Sequence, residues 1–127
     1  EFVDLHPGQI FVLDHLAKPQ IASGEIGEWA DYLRELGKRP NVYAKISGMV
    51  TEADWKRWRS GELRRYFDVA LETFGPKRLM FGSDWPVCIV ACDYPRWHAV
   101  VKEWIAQLSA SEQARILGGT AAEAYRL

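Results

Sequence analysis

The stretch that decides the fold is KRLMFGSDWPV, residues Lys77–Val87. Its mostly apolar part, Arg78 to Ser83, predicts a short buried strand, and Pro86 prevents that strand from continuing. Asp84 at the strand exit has two interpretations. It can stabilise a turn by accepting backbone N–H bonds, or it can be a carboxylate at the edge of a parallel sheet, where α/β enzymes place metal ligands and general bases. Taken alone, the stretch favours the turn.

The composition bounds the class of protein. The chain has 127 residues, of which 48% are hydrophobic and 26% charged, as in a globular domain. A net charge of −1 argues against a nucleic-acid surface, and no apolar run reaches the roughly 18 residues that span a membrane. Cys88 and Cys92 lack zinc-knuckle spacing and fit a reducing compartment. We therefore predict a cytoplasmic protein with no nucleic-acid or membrane partner.

Two further strands precede the first stretch in the chain. Gln9–Asp14 (QIFVLD) is a near-continuous apolar run of strand length, typical of a parallel strand covered on both faces, and Val42–Ser47 (VYAKIS) is predicted as the second strand. Helical periodicity follows each strand, over Ile26–Leu36, over Leu63–Phe74 and after Asp93, which could N-cap the last of these helices. The alternation predicts an α/β fold made of parallel βαβ units.

Weaker patterns predict further detail. A short helix carrying Trp55 and Trp58 is expected, with an interruption at Ser60-Gly61. Ser109 to Glu112 has the form of a capping box that opens a short helix. Gly118-Gly119 is expected to end that helix before a last helical segment begins.

The spacing of the strand exits brings polar residues together. Consecutive exits, at His15, Gly48 and Asp84, are separated by the thirty-odd residues of one βαβ unit. Right-handed crossovers then place all three exits on one edge of the sheet. An imidazole and a carboxylate at neighbouring exits suit a metal ion or a polarised water. This convergence favours a functional role for Asp84.

Each candidate also has a structural interpretation. His15 could be a catalytic residue or metal ligand, or a neutral histidine bound to a loop carbonyl, and its position makes the two about equal. Trp85 could pack over a substrate ring or fill the core. Lys45 shares a strand face with Ser47 and could reach a substrate oxygen, although an ion pair with a carboxylate such as Asp14 is the favoured interpretation.

Three motifs in this order resemble a known family. They are VLDHLAKP (Val12–Pro19), KISGM (Lys45–Met49) and RLMFGSDWPVC (Arg78–Cys88). Together they resemble the amidohydrolase-related family of TIM-barrel hydrolases, in particular its sugar-lactonase branch of L-fuconolactonase and L-rhamnono-lactonase-like enzymes. GGTAAEAYRL (Gly118–Leu127) is similar to the family's terminal helix, with Thr120 where asparagine is usual.

The resemblance implies a fold and a site. It identifies the three strands as the sixth to eighth of a (β/α)8 TIM barrel, so residues 1–127 would be a single partial domain, its C-terminal portion. Asp84 matches the family's base and metal ligand on the eighth strand, and His15 matches the histidine of the metal and water site. A divalent metal, zinc or manganese, is implied where one is present. Trp85, Lys45 and Ser47 are expected at the substrate.

The expected activity is hydrolysis of a cyclic ester, a sugar lactone, by activated water. The family's His-x-His motif on the first strand does not occur in this sequence, so we expect a fragment that is inactive alone. A decarboxylase on the same scaffold and a non-catalytic α/β module are the alternatives. The predicted partner is a small-molecule lactone, and a homo-oligomer is left open.

Overall fold

The computed structural model describes residues 1–127 and contains a sheet of three parallel strands. The strands are β1 (Phe11–Leu13), β2 (Val42–Ile46) and β3 (Leu79–Phe81), in that order across the sheet. Phe11 pairs with Val42, and Ala44 pairs with Leu79. The predicted parallel α/β fold is thus confirmed. The strands are shorter than predicted, so Asp14, Ser47 and Ser83 lie just beyond their carboxyl ends.

Helices connect and follow the strands. α1 (Gly27–Gly37) lies between β1 and β2, and α2 (Ser60–Phe74) lies between β2 and β3. After β3 come α3 (Tyr94–Ile105), α4 (Ala110–Ala114), a π-helical turn (Arg115–Gly119) and α5 (Thr120–Tyr125). Short 3-10 turns cover Val3–Leu5, Asp14–Ala17, Ile21–Ser23, Val50–Glu52 and Val87–Val90. None of the helices is both long enough and apolar enough to cross a membrane.

Two predicted helix boundaries are confirmed by their caps. The Asp93 carboxylate accepts the backbone N–H of Arg96 at the start of α3. The Ser109 hydroxyl accepts the N–H of Glu112, while the Glu112 carboxylate accepts the N–H of Ser109, which completes the capping box of α4.

Three predictions of local structure are wrong. Trp55 lies in a turn and Trp58 just after it, rather than in a helix, because the Asp54 carboxylate accepts the N–H groups of the two residues after Trp55. Ser60 begins α2 instead of interrupting a helix. Gly118-Gly119 lies inside a continuous helical run, where Thr120 donates its hydroxyl to the carbonyl of Pro76.

The two faces of the sheet pack against different partners. Val42, Ala44 and Ile46 belong to the main core together with the apolar sides of the helices. On the opposite face, Tyr43 joins a smaller cluster to which α5 contributes. The Tyr43 hydroxyl donates to the Glu123 carboxylate at 2.9 Å, and this hydrogen bond holds α5 against this face of the sheet. Side chains from the same face of β2 lead toward the carboxyl end of the sheet.

One arginine ties the opposite, amino-terminal end of the sheet together. The Arg78 guanidinium donates to the carbonyls of Gly37, Arg39 and Val42 at 2.9–3.0 Å. Its plane also lies over the Phe74 ring, at 5.3 Å from the ring centroid. These bonds join the end of α1 to the starts of β2 and β3. The polar side chains of the predicted site lie at the other, carboxyl end of the sheet.

Candidate active site

His15 is presented by an unusual turn. Directly after β1, four consecutive residues from His15 to Lys18 have positive φ values of 49°, 48°, 58° and 52°. Residues with a Cβ atom rarely adopt this left-handed conformation, so the turn must be held by its surroundings. Leu16 is fully buried, and its carbonyl accepts the indole N–H of Trp29 at 2.8 Å.

The His15 ring rests on the exit of β2. Its Nδ1 atom lies 2.7 Å from the hydroxyl oxygen of Ser47, a residue with no exposed surface. Gly48 has a φ of 62°, and a Cβ atom there would lie 2.8 Å from Cγ of the imidazole. Glycine is therefore required at position 48 both for its backbone conformation and for space. Because Nδ1 is engaged, Nε2 is the nitrogen left to act.

Asp84 faces that nitrogen from the exit of β3. Its Oδ1 atom lies 3.7 Å from Nε2 of His15, and its side chain is only 13% exposed. Asp84 also has a positive φ, 54°. Its carbonyl accepts the N–H of Cys88, and the neighbouring Ser83 hydroxyl accepts the N–H of Trp85. The backbone bonds of the turn leave the carboxylate free to point at His15.

Asp14 joins the site without having been among the predicted site residues. Its Oδ2 atom lies 3.2 Å from Nε2 of His15, and its Oδ1 atom lies 3.1 Å from Nζ of Lys45. Burial tends to raise the pKa of Asp14, but the hydrogen bond from Lys45 and nearby positive charge leave it below its usual value. The preference for an ion pair between Lys45 and a carboxylate is confirmed.

Close packing between β2 and β3 depends on a second glycine. A Cβ atom at Gly82 would lie 2.9 Å from Cβ of Ser47 and 3.0 Å from Cδ of Lys45. The side chains of Ser47 and Lys45 therefore occupy the space that any larger residue at position 82 would need. The lack of a side chain at Gly82 therefore lets the exit of β3 lie close to Ser47 and Lys45.

Trp85 lies at the open side of the site. It is 67% exposed, and the apolar residues Val87 and Ile89 that follow are also exposed. Cys88 and Cys92 are buried free thiols beneath this loop, and burial raises the pKa of both. The substrate contacts predicted for Trp85, Lys45 and Ser47 stay predictions. In the structure the Ser47 hydroxyl contacts the His15 ring, and the Lys45 ammonium group contacts the Asp14 carboxylate.

The donor atoms suit part of a metal site. Two ligands of a tetrahedral zinc ion, each at about 2.1 Å, lie about 3.4 Å apart. Nε2 of His15 and Oδ1 of Asp84 are 3.7 Å apart, so one ion can reach both. No group of three or more His, Cys, Asp or Glu side chains in the chain is arranged to hold a metal ion. A catalytic zinc usually has three protein ligands, so these residues supply an incomplete set.

Comparison with known proteins defines the class. A family model described as amidohydrolase matches residues 1–127, so the chain belongs to the amidohydrolase family. The predicted resemblance to this family, including its lactonase branch, is confirmed.

Individual relatives are more specific. The chain is 45% identical to an L-fucono-1,5-lactonase of Burkholderia multivorans over 99% of its own length and 46% of the relative. It is 37% identical to an L-fucono-1,5-lactonase of Burkholderia ambifaria, over 99% of its own length and 44% of the relative. A crystal structure of a Burkholderia multivorans amidohydrolase with bound zinc superposes with a TM-score of 0.95 at 43% identity, covering 99% of this chain and 47% of that one. The chain thus spans about half the length of these relatives.

Proposed function

We propose that this chain contributes His15 and Asp84 to the active site of a hydrolase that opens a sugar lactone. The approach of these two side chains to 3.7 Å, from the exits of β1 and β3, carries the proposal. Two relatives that are named L-fucono-1,5-lactonase support the choice of a cyclic sugar ester as the substrate class.

The proposal includes a larger barrel. We assign β1, β2 and β3 to the sixth, seventh and eighth strands of a (β/α)8 TIM barrel, with residues 1–127 as its C-terminal portion. Parallel pairing in sequence order and a length near half that of the relatives support this assignment. The carboxyl ends of barrel strands carry the active sites of such enzymes, and His15 and Asp84 follow those ends.

The side chains have distinct proposed roles. Asp84 accepts a proton from water as the water oxygen attacks the lactone carbonyl carbon. His15 orients that water or the carbonyl through Nε2. When the ring C–O bond breaks, the proton held by Asp84 goes to the departing alkoxide oxygen, which yields the open hydroxy acid. A carboxylate used as a general base typically contributes about 10²–10⁴-fold in rate.

His15 and Asp84 are also the residues that would hold a divalent metal, zinc or manganese. When bound, such an ion polarises a carbonyl or lowers the pKa of water. Ser47 supports this role because its contact with Nδ1 leaves Nε2 directed at Asp84. The zinc in the Burkholderia multivorans relative is consistent with this assignment.

The substrate side of the site is proposed from exposure and charge. The exposed Trp85 ring would stack on the apolar face of the sugar. Lys45 would contact a substrate oxygen while its ammonium group remains paired with the Asp14 carboxylate. Because Ser47 is completely buried, we assign it the role of orienting His15 and no direct contact with the substrate. The proposed partner is a small-molecule lactone, and the proposed location is the cytoplasm.

The test is Asp84→Asn in the full gene product, assayed with a panel of aldonolactones by acid release. We expect turnover to fall by about 10³-fold or more at an unchanged melting temperature. Asp93→Asn is the matched control, since asparagine also caps helices and the Asp93 carboxylate bonds the N–H of Arg96 instead of His15. Full activity in Asp84→Asn would favour the non-catalytic alternative. Release of carbon dioxide from an added carboxylate substrate, without acid release from any lactone, would favour the decarboxylase. Residues 1–127 alone are expected to be inactive.

A further inference from the structure

We infer that Trp29 and Trp97 are positioning residues that hold the backbone beside His15 and Asp84 through their indole N–H groups. The two tryptophans lie on α1 and α3, outside the sheet, and their indole N–H groups bond backbone carbonyls and not the reacting side chains. The inference deepens the proposed function, because it concerns how that same pair of residues is held in place.

Trp29 acts on the turn that carries His15. Its Nε1 atom donates to the carbonyl of Leu16, the next residue along, at 2.8 Å. The ring also packs edge-on against Tyr66 of α2, with centroids 5.3 Å apart. The Tyr66 hydroxyl donates to the carbonyl of Glu25 at 2.9 Å, farther along the same loop. Two aromatic donors therefore bind the loop that runs from His15 to α1.

Trp97 acts on the exit of β3. It is fully buried, and its Nε1 atom donates at 2.9 Å to the carbonyl of Gly82, two residues before Asp84. The N–H of Gly82 completes the ladder by donating to the carbonyl of Ile46. The peptide groups around Gly82 are thus bound on both sides immediately before the chain turns into the positive φ of Asp84.

Both bonds are placed where the backbone is strained. The turn at His15 and the turn at Asp84 have left-handed residues that carry side chains, a conformation that persists only when the surroundings enforce it. A buried carbonyl without a partner is unfavourable, so each indole N–H favours one orientation of its peptide group. The tryptophan rings are rigid and belong to helices. The positions of these helices therefore determine where the two bonded carbonyls, and the turns beside them, are held.

The variants Trp29→Phe and Trp97→Phe in the full gene product test the inference, because phenylalanine fills most of the space without the donor. Thr120→Val is the matched control. It removes one buried side-chain donor from the carbonyl of Pro76 at the far end of β3. We expect kcat to fall about ten- to a hundredfold in both tryptophan variants with KM within about twofold, as for residues that orient ligands. The control keeps wild-type kcat at a comparable loss of melting temperature.

Hydrogen exchange supplies a second measurement that needs no substrate. Amide exchange is expected to accelerate at residues 15–18 in Trp29→Phe and at residues 83–88 in Trp97→Phe, each without change at the other turn. Exchange that rises evenly over the chain, or wild-type kcat in both variants, would overturn the inference. If the wild-type protein opens no lactone, the proposed function fails, and the exchange pattern still decides whether the tryptophans hold the two turns.

Discussion

Ser47 and His15 are hydrogen-bonded at 2.7 Å between the hydroxyl oxygen and Nδ1, from the exits of two neighbouring parallel strands. The serine is completely buried, so its hydroxyl has no access to water. With Nδ1 engaged, the ring presents Nε2 to both Asp14 and Asp84. This contact fixes the orientation of the His15 ring on its strained turn.

Ser47→Ala is expected to lower kcat by about ten- to a hundredfold, because the imidazole loses the contact that sets its orientation. The free energy of unfolding should fall by only about 1 kcal/mol, the usual net worth of one hydrogen bond. Steady-state kinetics and urea unfolding measure the two effects. Ser23→Ala, which removes an exposed hydroxyl and its hydrogen bonds from a surface turn, is the control and should leave kcat unchanged. Wild-type kcat in Ser47→Ala would contradict the orienting role.

Gly48→Ala should destabilise the protein and abolish activity, because the new methyl group meets the His15 ring at 2.8 Å. Gly24→Ala provides the comparison, since Gly24 has a similar φ of 76° with open space around it. We expect Gly24→Ala to cost about 1–2 kcal/mol of unfolding free energy from conformation alone. The additional loss at Gly48 then measures the clash. Equal losses in thermal unfolding would show that the ring moves away freely.

Ala17→Gly is expected to stabilise the protein. Ala17 is exposed and has a φ of 58°, a conformation that costs alanine about 1–2 kcal/mol and glycine almost nothing. Greater freedom of the unfolded chain offsets part of this, leaving a gain of about 0.5 kcal/mol. Ala22→Gly, at an exposed residue without positive φ, should instead lose stability. Chemical unfolding of both variants decides, and a loss in both would argue against strain at Ala17.

Acid should weaken the contacts of Glu123 with Tyr43 and Arg115, which hold α5 on the sheet. The hydrogen bond from Tyr43, followed by the charge of Arg115, holds the pKa of Glu123 below its usual value. The folded state therefore binds fewer protons than the unfolded state, so this stabilisation is present above the unfolded pKa and is lost as the pH falls through the folded one. Glu123→Gln should reduce the slope of unfolding free energy between about pH 5 and 3. An unchanged slope, measured by urea unfolding across that range, would show that Glu123 contributes nothing to it.

Periodicity and turn residues predicted the parallel sheet, the main helices and the caps at Asp93 and Ser109, because these features depend on local chemistry. The same approach was wrong at Trp58 and at Gly118-Gly119. At the first site the Asp54 side chain competes for backbone N–H groups, and at the second the helix continues as a π turn. At the first site a local side-chain bond outweighs the helical periodicity, and at the second the Thr120 hydroxyl bonds the distant carbonyl of Pro76 beside the continuing helix.

The sequence by itself determined that His15 and Asp84 follow parallel strands and so share one edge of the sheet. Only the tertiary structure decided that Ser47 binds His15, that the Asp14 carboxylate also contacts His15, and that two tryptophans bind the adjoining carbonyls. The physical reason is that strand direction is encoded in local patterns. A left-handed turn of ordinary residues is instead imposed by distant contacts, which no local pattern records.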